Sequence, residues 1–270
     1  MSSESTSPRD TSNEHVERIR EQFTRTADVY ARMKQTTDER GLNGLVAIAE
    51  PAESARALDV ACGPGFLTLA LARRCARVTG FDATDAFLEL ARAEAAQRKL
   101  DNVTFQQGDA ESLPFADGSF DVVTCRAAFH HFPRPERVLA EMARVTAPGG
   151  RILVADLLGH EDADKAALHD RIERLCDPTH TRSLPVSEFH ALFAGAGLDL
   201  IREIPSKLDY EVESWIDHGA PDTGVRHEIV ALMESTLAGD DAGLAVRRED
   251  GELRFTHRTA AFVLERPAAP

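Results

Sequence analysis

Several features are scarce in this chain, and each scarcity removes a class of function. Cysteine occurs four times, at 62, 75, 125 and 176, with no CxxC pair and no zinc-ligand spacing. That argues against a zinc module or a disulfide scaffold, so no metal is expected and a reducing, cytoplasmic interior suits the thiols. Positive charge is short as well. Lys and Arg number 31 against 45 Asp and Glu, a net charge of −14, so a sequence-independent nucleic-acid binder is excluded as the reading. A nucleotide-like small molecule is not, because its recognition is local. No apolar run approaches the ~20 residues of a membrane span. The start, Met1 to Asn13, is rich in Ser and Thr and has no apolar h-region, which reads as a disordered tail rather than a secretory signal. There is no internal repeat.

What is present is a hydrophobic fraction of 43% over 270 residues, enough for one sizeable core. The order of patterns is informative. A helical stretch with Val16, Ile19, Phe23, Ala27, Tyr30 and Met33 at helical spacing precedes everything else. Then strand-like and helix-like runs alternate: strand 57–61, helix 66–75, strand 77–81, helix 85–99 with Asp85 as N-cap, and strand 103–107. Strand 120–125, helix 134–146 and strand 151–157 continue the series. Such alternation predicts right-handed βαβ units and a parallel sheet. After Leu158 the rhythm changes to helices 162–175 and 186–194, strand 198–204, helix 222–237 and a hairpin at Asp250-Gly251 that returns the chain to the sheet.

The turn Ala61-Cys62-Gly63-Pro64-Gly65 between the first strand and helix lets backbone approach a ligand closely. Asp82 ends the next strand, which is the layout of a nucleoside site at the carboxyl edge of a parallel sheet. A dinucleotide site wants G-x-G-x-x-G, but Thr68 stands where the third glycine belongs. The lysine of a triphosphate-cradling loop is missing too.

The whole series resembles the ordered motifs of class I S-adenosylmethionine-dependent methyltransferases, in the branch of the ubiquinone and menaquinone C-methyltransferases. Leu58-Asp59-Val60-Ala61-Cys62-Gly63-Pro64-Gly65 is similar to the first motif, Gly80-Phe81-Asp82 to the second, and Gln107-Gly108-Asp109-Ala110-Glu111 to the third. Ser119-Phe120-Asp121-Val122-Val123 and the helix and turn ending in Pro148-Gly149-Gly150 complete the set. The resemblance covers roughly residues 56–158 and departs from the pattern at Ala61, where the family has glycine. It implies a Rossmann-like, doubly wound α/β fold: a seven-stranded sheet, mostly parallel, with an antiparallel C-terminal hairpin strand. The implied division is a tail (1–13), an N-terminal helical lid (14–50), a cofactor-binding core (51–158) and substrate-side elements of the same domain (159–270).

The resemblance also implies S-adenosylmethionine as cofactor, held by Asp59, Ala61, Gly63, Gly65, Asp82, Ala83, Asp109, Ala110 and Arg126. Asp82 would accept from the ribose hydroxyls and Asp109 would face the adenine, while Asp59 either contacts the ligand or anchors the loop. Cys62 reads as a small loop residue rather than a nucleophile. His131, and after it His130, follow strand four close to where the donor methyl lies in this fold, and are the candidate bases. The alternative for them is packing and loop capping before Pro133. Tyr30, His180 and Arg182 are candidate substrate contacts, against core packing for Tyr30 and plain exposure for the other two.

The implied activity is methyl transfer to a small molecule. An Asn-Pro-Pro-Tyr-type motif is lacking after strand four, where Cys125-Arg126-Ala127-Ala128 stands, so oxygen or carbon acceptors are favoured and a small nitrogen acceptor stays open. Two alternatives remain: a non-catalytic scaffold that binds the cofactor as a partner subunit, and methylation of a metalloid by converging Cys62, Cys125 and Cys176. The acceptor is not written in the motifs, and a monomer or a homodimer are equally compatible.

Overall fold

The computed structural model describes residues 8–33 and 37–268. The described residues form one eight-stranded sheet. In chain order the elements are α1 (Pro8–Tyr30), α2 (Glu39–Ala49), β1 (Arg56–Val60), α3 (Phe66–Ala72), β2 (Arg77–Asp82), α4 (Asp85–Gln97) and β3 (Val103–Gln107). Then come β4 (Phe120–Arg126), a single 3₁₀ turn (Phe129–His131), α5 (Pro135–Val145), β5 (Thr146–Leu157), α6 (Ala163–Cys176) and α7 (Val186–Gly195). The chain closes with β6 (Asp199–Glu211), α8 (Val212–Ile216), α9 (Thr223–Ser235), β7 (Arg247–Glu249) and β8 (Glu252–Glu265). Strand order is β3-β2-β1-β4-β5-β8-β6, with the short β7 pairing β8. β1 to β5 are parallel, and β8 runs antiparallel between β5 and β6. The expected fold class is therefore observed, with β7 as an eighth strand.

Side chains of the central strands alternate between two cores, as a pleat buried on both faces requires. Val123, Ile152, Val154, Phe262 and Leu264 face α5 and α7, where Val138, Leu139, Met142, Phe189 and Phe193 wait. Val122, Leu153, Ala261 and Val263 face α2 and α3 through Val46, Leu67 and Leu71. Helix starts follow from the capping chemistry of short polar side chains. Asp38 caps α2 at Arg40 N and Gly41 N, Asp162 caps α6 at Asp164 N and Lys165 N, and Asp222 caps α9 at Val225 N. Asp85 does not cap α4: Thr84 holds that position, and Asp85 contributes its charge to the first turn instead.

Three boundaries depart from expectation. α1 opens at Pro8, so the helix extends into the stretch expected as tail, while residues 1–7 of that tail lie outside the described residues. β6 runs to Glu211 rather than ending at Ile204, because β8 is long enough to pair it through Glu211↔Arg254. This two-stranded extension carries a third core of its own: Tyr210, Trp215, Ile216 and Phe255 against Ile172 of α6 and Ile229 and Met233 of α9. At Asp250-Gly251 both residues take positive φ (50° and 86°) in a two-residue loop, the geometry that matches strand twist.

Candidate active site

The sheet order reverses at β1: the chain runs outward through β2 to β3 and then crosses back to place β4 on the other side of β1, so the loops leaving the carboxyl ends of β1 and β4 diverge to leave a crevice. Ala61 (φ +53°) and Gly63 (φ +53°) turn the chain sharply after β1. A Cβ on Gly63 would meet nothing nearer than Phe87, at 4.0 Å, so this glycine presents an open backbone face. Gly65 behaves differently. Its Cβ would stand 2.8 Å from Ala91 Cβ and 3.2 Å from Phe105, so it permits α3, α4 and β3 to close up. Unlike Gly63, it is not among the residues that line the cavity.

Asp82 ties two loops together: Oδ2 accepts from Gly63 N and Oδ1 from Thr84 N, each at 2.8 Å. Burial raises its pKa against those two bonds. Asp59 is buried one strand over. Its oxygens accept from Thr68 and Thr124 hydroxyls, both at 2.7 Å, and burial pushes its pKa up to about 6. Thr68, the residue that broke the dinucleotide pattern, is thus the anchor of this carboxylate. Asp109 Oδ1 accepts from Glu111 N at 2.9 Å, and the Phe81 ring fills the space where a Cβ on Gly108 would fall. Asp59, Ala61, Gly63, Asp82, Ala83, Asp109, Ala110 and Arg126 all line one cavity.

Helix α1 covers that cavity with His15, Val16, Ile19, Phe23 and Tyr30. Phe23 packs on Phe87 of α4 (centroids 5.4 Å apart) and edge-on to Tyr30 and His131. Polar ties fix the helix to both sides of the crevice. His15 Nε2 donates to His131 O (2.8 Å), Arg20 Nε to Ala83 O (3.1 Å), and Gln22 Nε2 to Gly219 O (3.1 Å). Burial lowers the His15 pKa and keeps it neutral for that role. Sequence pattern showed the apolar stripe of α1 but not these ties, since their partners are distant backbone carbonyls.

A second cavity of about 430 Å³ adjoins the first and shares Phe23, Tyr30, Arg126, Ala127 and His131 with it. Its floor is the antiparallel part of the sheet (Leu157, Ile204, Leu208, Tyr210, Ala260), and its walls come from α2, α6 and Trp215. Its polar groups are mostly imidazoles and carboxylates: His130, His131, His180, His218, His257, Asp156, Asp177 and Glu173. His130 Nδ1 lies 2.5 Å from Asp156 Oδ1. Burial alone would depress this histidine, but the facing carboxylate outweighs it and the His130 pKa is raised. Asp156 also accepts from Ala128 N and Phe129 N, which pins the loop after β4. His131 is oriented instead by Thr179, whose carbonyl and hydroxyl each lie 3.2 Å from Nδ1. Burial and the neighbouring His130 hold the His131 pKa low, so it is neutral.

His180 is buried rather than exposed, bonded to Asp170 at 2.9 Å, and lines the second cavity. Arg182 does not join it. Its guanidinium grips Glu188 in a bidentate pair on the surface, and it is not among the residues that line either cavity. The cysteines do not converge: Cys125 packs in the core behind β4 while Cys176 packs under α8, and burial raises both thiol pKa values. Residues that pattern reading missed are Asp156, Glu173, Tyr210, Trp215 and His257. Each is brought to the cavity by strand pairing or helix docking over long separations, for which single-sequence periodicity carries no signal.

This strand order, with an acid ending β2 and a glycine turn after β1, defines the class I methyltransferase architecture. Residues 58–154 match the methyltransferase domain family. The methyltransferase YcgJ of Bacillus subtilis is 34% identical over 220 residues, covering 82% of this chain and 86% of that protein. Its crystal structure aligns with a TM-score of 0.78 at 30% identity, over 86% of this chain and 100% of that one. A solved structure from Bacillus halodurans aligns at TM-score 0.80 and 29% identity, over 85% of this chain and 100% of that one. The demethylmenaquinone methyltransferase of Thermus thermophilus is 45% identical over 103 residues, 37% of this chain and 46% of that protein. The chain belongs to the class I S-adenosylmethionine-dependent methyltransferases. No described helix is long and apolar enough to cross a membrane.

Proposed function

We propose that this enzyme methylates a small, largely apolar acceptor at oxygen or carbon, with the donor in the first cavity and the acceptor in the second. The observation that carries this reading is the junction of the two cavities at Phe23, Tyr30, Arg126 and His131. The first cavity suits S-adenosylmethionine by its donor and acceptor set. Each Asp82 oxygen holds one backbone N–H and keeps a lone pair for a ribose hydroxyl. Asp109 and the Ala110 backbone suit an exocyclic amine and a ring nitrogen, and the open face at Gly63 with Arg126 nearby suits the amino-acid end. When bound, the cofactor supplies an electrophilic methyl group on a sulfonium, so the protein's task is positioning, exclusion of water and removal of a proton from the acceptor.

For that last task the geometry favours His130 over His131. An imidazole whose Nδ1 faces a buried carboxylate presents Nε2 as the acceptor atom, with its basicity raised toward the working range. His131, held neutral with a low pKa, is better suited to shaping the junction. The relatives include proteins named demethylmenaquinone methyltransferases. An aromatic hydroxylated ring suits the apolar floor and the imidazole rim here. The test has two arms: calorimetric binding of S-adenosylhomocysteine to wild type and Asp82→Ala, then a panel of hydroquinones and phenols with S-adenosylhomocysteine release as readout. Binding lost in Asp82→Ala and turnover on a panel member support the reading. Binding without turnover on any acceptor favours the scaffold alternative.

A further inference from the structure

At the wall of the second cavity, one buried cluster among the described residues has the composition of a metal site. His169 and Glu173 stand one helical turn apart on α6, so both side chains leave the same face of the helix. β8 brings His257 to the same point. His257 Nε2 lies 2.7 Å and His169 Nε2 3.4 Å from Glu173 Oε1, and all three ligand-capable atoms fall within 4.8 Å of one another. Bonds of about 2.1 Å to a central ion would place ligand atoms about 3.0–3.4 Å apart, close to this spacing. All three side chains are buried, His169 and His257 to 3% and 2% exposure.

A second observation points to a ligand rather than a closed hydrogen-bond network. His169 Nε2 has no hydrogen-bond partner although it is fully buried and aimed at Glu173. A buried imidazole nitrogen left unmatched is costly unless something occupies its lone pair. Two neutral imidazoles and one carboxylate are the donor set of zinc and of other first-row divalent ions. Glu173 and His257 also line the second cavity, so an ion here would keep coordination positions open on that side.

We propose that His169, Glu173 and His257 bind a divalent transition-metal ion at the wall of the second cavity. Entry of the ion at His257 Nε2 moves the ring proton that now faces Glu173 to Nδ1 of the same ring, so the ligand stays a neutral imidazole and no net proton is lost. Sequence spacing concealed the site because His257 follows Glu173 by 84 positions. The site is independent of the methyl-transfer reading and is tested by binding alone. The full-length protein is stripped with EDTA, loaded with Co²⁺ or Zn²⁺, and passed through a desalting column. The expected result is one equivalent retained, with a visible Co²⁺ spectrum, and loss of that equivalent in His169→Gln and His257→Gln. Far-ultraviolet circular dichroism and S-adenosylhomocysteine binding report whether the variants fold. If they do not, X-ray absorption of the zinc-loaded wild type decides, with two imidazole ligands expected. Less than one equivalent retained, retention equal in folded variants, or fewer than two imidazoles would each overturn the proposal.

Discussion

His130 and Asp156 illustrate how much a single contact can decide. The base must be neutral to accept a proton, and its pKa lies above the ordinary 6.5, so the rate of methyl transfer is expected to rise with pH through that raised value. Asp156→Asn removes the charge that opposes burial, so the rising limb moves to lower pH while the rate drops. His130→Gln is expected to cost roughly 10²–10⁴-fold in kcat. A pH–rate profile of Asp156→Asn that superposes on wild type would remove His130 from the role of base. Stability follows the same pair with opposite windows. The raised His130 stabilises the fold fully below 6.5, and this is lost as pH rises through its folded pKa. The lowered Asp156 stabilises it above 3.8, and this is lost as pH falls through its folded pKa. Between those limits urea midpoints are expected to plateau. The glycine turn gives a second residue-scale test. Ala61 sits at φ +53° where the family has glycine. A left-handed alanine costs roughly 1 kcal/mol, partly offset because glycine has more freedom to lose on folding. Ala61→Gly is therefore expected to leave stability equal or up to about 1 kcal/mol higher, with S-adenosylhomocysteine affinity kept. Gly63→Ala has room for its methyl but takes a left-handed alanine at φ +53°, so it is expected to lower stability by roughly 1 kcal/mol and to weaken that affinity about tenfold, whereas Gly65→Ala also drives a methyl against Ala91 and lowers stability further.

Among elements, α1 separates what pattern can reveal from what it cannot. The recurrence of Val16, Ile19, Phe23, Ala27 and Tyr30 marked an apolar stripe, and the stripe does cover the first cavity through Phe23 and Tyr30. The alternating strands and helices from Arg56 to Leu157 were legible for the same reason: each buries a periodic face, and motif order along 56–158 pointed to most of the residues around the first cavity. The second cavity was not legible. Its walls depend on β6 pairing β8 beyond Ile204, on α8, and on α6 docking against both, and none of these leaves a local signature. The pairing of Arg182 was equally hidden, since an arginine in a loop beside a site says nothing of the surface glutamate that holds it. The polar ties of α1 make its covering role testable. Arg20→Ala removes a charged donor from Ala83 O, a contact worth about 1.5–3 kcal/mol at most and less at a half-exposed position. S-adenosylhomocysteine affinity is expected to fall about 3–10-fold, with the urea midpoint nearly unchanged. Equal affinity in the variant would mean that α1 is simply part of the core.

For the molecule as a whole, one sheet serves two tasks along its width. The parallel strands β1 to β4 end in the loops that surround the first cavity, while the end of β5 with the antiparallel β8 and β6 floors the second, and β6 and β8 extend into the ribbon that carries α8 and α9. The division places the chain's single tryptophan, Trp215, in the wall of the second cavity and not of the first. Trp215 is buried and stacks edge-on to Phe255 at 5.1 Å, with His218 at 5.3 Å. An indole so enclosed responds to what displaces water beside it, so its emission reports on the acceptor side alone. Titration with S-adenosylhomocysteine is expected to leave Trp215 fluorescence nearly constant, whereas an aromatic acceptor accepted for turnover is expected to quench it, with a midpoint matching its KM. The same acceptors added to Trp215→Phe would give no fluorescence change while turnover persists. If the cofactor product alone quenches Trp215 as strongly as any acceptor, the two cavities act as one site and the division of labour across the sheet is wrong.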